Sequence, residues 1–192
     1  LLAVKNYHLE KTIEALRPLI DKGAKVLPLL NGVEHFDILE RELGKESVLG
    51  GITHIITTLD SEGKIIHSGQ LHNIIFGPLH PGQEDFCNRF TQEASGANMR
   101  VSISKDIRVD IWNKYAFITA FSGVTTASRL SIDHVTAHEP AKEVYRLALT
   151  EMSELAAASG AKLPESFVED NVSRMQKLPQ GSTSSMHQDL RK

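Results

Sequence analysis

One cysteine in 192 residues leaves no partner for an internal disulfide. Cys87 is therefore read as a half-buried cysteine on a helix, and a lone thiol suits a reducing compartment, so a cytoplasmic protein is expected. Charge of one sign is lacking too. Lys and Arg number 21 against 24 Asp and Glu, a formal net charge of -3. That leaves no basic field to line up phosphates, and nucleic acid is not an expected partner. No apolar run approaches the roughly 20 residues that span a bilayer, so no membrane segment is expected either. The motif inventory is equally bare of a Gly-x-Ser-x-Gly elbow, a Cys-x-x-Cys pair and a His-Glu-x-x-His zinc helix. His134 and His138 stand four apart beside Asp133 and Glu139 and could share a helix face. No third ligand follows, so the plainer reading is a solvated turn and no metal site is expected. His54 and His67 read as ordinary strand residues.

What is present is periodicity. Residues 1–4 form an apolar run that reads as a strand already under way, without the charged start of a signal peptide. Leu9, Ile13, Leu16 and Ile20 recur at helical spacing, and Gly23 closes that helix. Residues 25–30 give the next strand, which completes a βαβ unit and so part of a doubly wound parallel sheet. A short helix over residues 36–43 follows. Residues 48–59, 64–68 and 73–76 then read as an antiparallel meander, with turns at Asp60-Ser61-Glu62-Gly63 and Ser68-Gly69. A helix over residues 83–94 and a last edge strand over 99–102 close the first half.

From about Ser104 the strand signal stops. Helices are expected over residues 106–121, 141–159, 165–177 and from Thr183 onward, the last capped by Ser182 or Thr183. The second should bury Val144, Leu147, Ala148, Met152, Leu155 and Ala156. An α/β half followed by an all-helical half argues two domains, residues 1–103 and 104–192. The apolar start, and an end inside a helical pattern, read as an internal portion of a longer protein.

Two clusters can carry chemistry. Lys5 and Asn31 fall at the carboxyl ends of the first two strands, where open α/β sheets bind ligands. The lysine could meet a phosphate or carboxylate, and the amide a ribose, a nicotinamide or a substrate oxygen. A solvated strand end and a plain Asn-Gly turn explain them equally well. The second cluster is Lys114, at the entrance to the apolar stretch from Tyr115 to Phe121. Apolar walls disfavour its charged form and ease proton donation near neutral pH. A snorkelling lysine with a wet ammonium is the competing explanation.

The segments Val4-Lys5-Asn6-Tyr7, Leu29-Leu30-Asn31-Gly32, Val48-Leu49-Gly50-Gly51-Ile52-Thr53, His67-Ser68-Gly69, Ile111-Trp112-Asn113-Lys114 and Ser184-Ser185-Met186-His187-Gln188-Asp189 follow one another in a telling order. In that order and spacing the chain resembles the ketopantoate reductase family over essentially its whole length. The resemblance implies an α/β Rossmann-type domain, incomplete here, and then an all-α domain of the 6-phosphogluconate dehydrogenase C-terminal type. It implies an active site in the cleft between the two domains. It also implies NADPH-dependent reduction of 2-dehydropantoate (ketopantoate) to pantoate, a step of pantothenate and coenzyme A biosynthesis. By resemblance Lys114 is the proton donor, Lys5 lies beside the NADPH phosphates or ribose, and Asn31 touches cofactor and substrate. Ser185 binds the substrate carboxylate by the same resemblance; Ser122, which stands where many members carry an asparagine, is read as a further substrate contact, and a homodimer is the assembly to test.

Three departures qualify this. No Gly-x-Gly-x-x-Gly loop occurs in the 192 residues, so the chain alone is expected to be inactive. The family's late glutamate would fall beyond Lys192. Many members carry asparagines one and two turns past the donor lysine, where this sequence has Ile118 and Ser122. Two alternatives follow: a reductase of a different 2-oxoacid, and a non-catalytic module whose helical half pairs with a partner chain.

Overall fold

Helix α1 (Leu9–Ile20) forms where the three-and-four spacing lets Leu9 and Ile13 bury while Glu10 and Lys11 face water. Helix α2 (Glu34–Leu43) buries His35, Phe36, Leu39 and Leu43 and stops at Gly44, whose φ of 86° few other residues tolerate. The computed structural model describes residues 1–97 and 99–191; Lys192, the end of the expected last helix, lies outside them, as does Asn98.

The expected first strands are present only as extended segments joined by single bridges. Leu2 pairs in parallel with Pro28, and Val26 pairs in parallel with Val48. The Leu2 N–H donates to Leu27 O at 2.9 Å and the Leu29 N–H to Leu2 O at 2.8 Å. The Val26 N–H donates to Ser47 O and the Leu49 N–H to Val26 O, at 2.7 and 2.9 Å. Pro28 has no N–H to lengthen the ladder, one reason the pairing stays short. Period-two alternation is nonetheless clear. Val26 and Val48 join a core with Leu9, Ile13, Phe36 and Leu39 of α1 and α2, while Leu27 and Leu49 join a second core with Phe76 and Cys87. Apolar side chains on both faces of one layer are the mark of a doubly wound α/β arrangement.

The chain leaves Val48 into β1 (Gly50–Leu59), which pairs antiparallel with β2 (Ile65–Gly77). The two short strands and intervening turn expected over residues 64–76 are one strand. Gly69, at φ 77°, bends the chain without reversing it, and the register slips so that Ile55 faces His72 while Thr57 faces His67. Helix α3 (Glu84–Gly96) then crosses over, and β3 (Val101–Ile103) lies parallel to β2 at the edge. A helical crossover returns the chain in the same direction, which is why this strand is parallel and no member of a meander. Cys87 on α3 is fully buried rather than half-buried, and burial, with Glu84 nearby, pushes its thiol up.

The remaining elements are helical: α4 (Ile107–Ser128), α5 (Ile132–Ala137), α6 (Glu139–Ala158), α7 (Phe167–Gln176) and α8 (Ser185–Leu190). Helix α4 runs well past Phe121, with the hydroxyls of Thr125 and Ser128 bonded back to Phe121 O and Val124 O at 2.7 and 2.6 Å. Helix α5 occupies the expected solvated turn, because Ile132 and Val135 are completely buried. On α6 the buried residues are Tyr145, Leu149 and Ala156, while Val144, Leu147 and Leu155, expected inside, are about half exposed. The α6 side turned to α5 and α7 is thus set by Tyr145, whose ring outweighs the aliphatic count. The chain divides into two compact units, Leu1–Ile111 and Trp112–Lys192. The division lies inside α4, later than the expected 103/104, because Ile107 and Ile111 are part of the first unit's core.

Candidate functional site

In the first unit the Leu2–Pro28 bridge fixes the register of two neighbouring segments. Lys5 and Asn31 each lie three residues beyond that pair, past the carboxyl ends of the two parallel segments. Both are exposed. Lys5 precedes a single 3-10 turn, whose His8 N–H returns to Lys5 O at 2.9 Å. Gly32 takes a φ of 96°, which turns the chain immediately after Asn31. A lysine and an asparagine are residue types that can meet a phosphate and a ribose or nicotinamide. The glycine loop that would hold the rest of such a cofactor does not occur in these residues.

In the second unit the site grows along α4. Lys114 is largely removed from water, and desolvation lowers its pKa from 10.5 to about 8. Side chains four and seven residues on share its face, which places Ile118 and Phe121 beside it. Phe117 flanks them and stacks on Phe121, with centroids 5.5 Å apart and planes at 17°. The Arg174 guanidinium of α7 lies 4.8 Å from the Phe117 centroid. Ser122, half-buried, is two turns from Lys114, about 12 Å along the axis.

Thr125 closes this face and ties it to α8. Its hydroxyl lies 2.7 Å from Phe121 O and 2.9 Å from the Ser184 hydroxyl. With the Thr125 proton on Phe121 O, Ser184 is left to donate to Thr125, and it also accepts the His187 N–H at 3.1 Å. Ser184, not Ser182 or Thr183, is therefore the N-cap of α8. Ser182 instead donates to Pro179 O at 2.6 Å, and Thr183 meets His187 Nδ1 at 2.6 Å. Ser185, the first helical residue, is exposed next to this buried anchor. The structure thus groups Lys114, Ser122 and Ser185 within one unit and Lys5 and Asn31 within the other. Sequence reasoning missed Thr125 and Ser184, and the only sequence signal for the cap was the Ser-Ser pair at the start of the last helix.

His134 interacts locally with Ser131 and Asp133, at 2.9 and 3.2 Å. The Gly181 N–H, with Ser131, holds the Asp133 carboxyl below the usual range. Among the described residues no three His, Cys, Asp or Glu side chains stand together so as to hold a metal ion. No helix among them is long and apolar enough to cross a membrane.

Comparison with known proteins bears on the same segments. Residues 1–81 match the family model described as ketopantoate reductase PanE/ApbA, and residues 106–192 match the model of its C-terminal part. An oxidoreductase of Bacillus subtilis named YkpB, itself uncharacterized, is 30% identical over 190 residues, 99% of this chain and 63% of that protein. A 2-dehydropantoate 2-reductase of Lactococcus lactis is 26% identical over 163 residues, 83% of this chain and 50% of its own length. The chain thus spans less than two thirds of these relatives. Among solved structures, a D-mandelate dehydrogenase in complex with NADH superposes with a TM-score of 0.84 at 24% identity, covering 99% of this chain and 64% of that one. A dimeric ketopantoate reductase from Staphylococcus aureus gives 0.80 at 16%, covering 98% and 62%. At those identities the structures speak for the fold alone. The two family models in succession, over most of the residues that build both clusters, show that this chain belongs to the ketopantoate reductase family.

Proposed function

We propose that this chain supplies the proton-donating and substrate-holding half of an NADPH-dependent 2-oxoacid reductase, with ketopantoate to pantoate the reaction that the relatives' names favour. The overall change is 2-oxoacid + NADPH + H⁺ to 2-hydroxyacid + NADP⁺. Bound NADPH supplies the hydride that reaches the keto carbon. Lys114 delivers the proton to the keto oxygen, and the observation that carries this role is the partly desolvated ammonium on α4, tuned to about 8. Ser185, with Ser122, holds the substrate carboxylate and oxygens. Lys5 and Asn31 meet the cofactor, Asn31 also reaching substrate. The choice of NADPH rests on the family resemblance; the D-mandelate dehydrogenase neighbour was solved with NADH, which makes both nucleotides part of the test.

A second reading has its own support. Val144, Leu147 and Leu155 leave an exposed apolar stripe on α6, the feature expected of a helical unit that pairs with another chain. Pairing is compatible with catalysis, and a homodimer is proposed on this face. The experiment follows oxidation of NADPH and NADH by the longest natural polypeptide that contains this chain, offered ketopantoate and a panel of other 2-oxoacids. Turnover of any member, abolished by Lys114→Ala, supports the reductase. Silence across the panel, with nucleotide bound and dimers intact, favours the pairing module.

A further inference from the structure

Where α4 ends and α8 runs past it, the second unit contains a half-open cavity of about 650 Å³. Residues 187, 190 and 191 of α8 line it. At helical spacing they stand about 120° or more round from residue 185, so the cavity opens on another side of α8 than Ser185. Backbone bonds set its frame: the Ile132 N–H donates to Ser182 O at 2.8 Å, and the Gly181 N–H to Asp133 Oδ1 at 2.9 Å. The wall presents Arg129 and Arg191, and none of its side chains is a carboxylate. Asp133, just behind, is engaged with Gly181 and His134. Among the described residues neither guanidinium has a hydrogen-bond or ion-pair partner. Arg129 also holds a φ of 58° directly after α4, in the left-handed region that glycine usually fills at a helix end. Leu130 and Leu190 line the same cavity and are 44% and 55% exposed.

We propose that this cavity binds a phosphomonoester, its phosphate on Arg129 and Arg191 and its carbon body on Leu130 and Leu190. Guanidinium forks match phosphate oxygens in pairs, and two of them balance the charge of a phosphate dianion. The histidines do not compete for that place, because His134 Nδ1 and His187 Nδ1 already meet Ser131 and Thr183 hydroxyls at 2.9 and 2.6 Å. A space of this size leaves room beyond a bare phosphate, and the two leucines offer that room apolar surface to be covered. An arginine kept at a left-handed position carries a local strain, and holding a guanidinium at the cavity gives that strain a use. The site is independent of the 2-oxoacid reductase reading, since it shares no residue with it.

The test is calorimetric titration of the longest natural polypeptide containing this chain with n-butyl phosphate and, separately, with inorganic phosphate. Saturable binding of butyl phosphate is expected, at least about threefold tighter than inorganic phosphate through the butyl carbons covered by the leucines. Arg129→Gly and Arg191→Ala should each weaken it about tenfold or more, the loss of a charge-assisted bond to the phosphate. Arg129→Gly is the decisive variant, because glycine takes a φ of 58° freely and its melting temperature should be unchanged or raised. Loss of binding in that variant therefore cannot come from unfolding. Lys5→Ala serves as the control, since a phosphate held at the proposed cofactor residue would respond to it and one held in this cavity would not. No saturable binding, equal affinity for the two probes, or binding that Lys5→Ala removes and Arg129→Gly leaves intact would each overturn the proposal.

Discussion

At the scale of single residues, Lys114 carries opposite consequences for stability and for activity. Its pKa in the folded chain is about 8, below the 10.5 of an exposed lysine. Below pH 8 the ammonium is charged in both folded and unfolded states, and the folded state bears a desolvation cost. Between 8 and 10.5 the folded state releases the proton while the unfolded state keeps it, so stability rises with pH through that window. Lys114→Met should therefore raise the melting temperature at pH 7 and confer less advantage at pH 10, as thermal unfolding at the two values will show. An equal shift at both would mean that desolvation of the charge is not what Lys114 contributes. Tyr145 offers a parallel case. Its ring is wholly buried, its hydroxyl finds no partner among the described residues, and burial pushes the phenol up. An unsatisfied buried hydroxyl costs about 1–3 kcal/mol. Tyr145→Phe should thus be neutral or stabilising by about 1 kcal/mol in denaturant unfolding.

At the scale of elements, two close approaches hold the site's supports in place. A Cβ on Gly51 would meet Leu27 Cδ1 at 2.4 Å and Pro28 O at 3.0 Å. The entry to β1 lies that close to the segment leading to Asn31. Gly51→Ala should cost about 1–3 kcal/mol of unfolding free energy through overpacking, and should weaken nucleotide binding by displacing Asn31. Ser184→Ala removes a cap and leaves the His187 N–H unsatisfied, a loss of about 1–2 kcal/mol. It should raise KM for the 2-oxoacid more than it lowers kcat, because Ser185 loses its anchor while Lys114 is untouched. These elements were unevenly legible in sequence. Helices α1, α2 and α7 could be read from spacing, since each buries the face its apolar residues mark. The bulge at Gly69 could not, because the same glycine signal serves a reversal and a bulge alike. The buried face of α6 was misread because one tyrosine decided it against three aliphatic residues. Helix α5 was missed because six residues give too short a period to detect.

At the scale of the whole molecule, the residues proposed for the reaction divide between the two units. The first contains Lys5 and Asn31, each three residues past the Leu2–Pro28 bridge, and the second contains Lys114 and Ser122 on α4 and Ser185 on α8. Family resemblance and spacing are what single out these five residues for the proposal. The anchors behind them stayed hidden, since Thr125 and Ser184 lie 59 residues apart and meet only once the chain folds. The central claim is that Lys114 donates the proton in a 2-oxoacid reduction. It is tested most directly by the pH profile of turnover with the longest natural polypeptide containing this chain, beside its Lys114→Ala variant. A donor must be protonated, so kcat should be level below pH 8 and fall about tenfold per pH unit above it. Lys114→Ala should lose at least about a hundredfold in kcat at pH 7 together with that falling limb. A variant that keeps the wild-type rate and the same profile would contradict the assignment.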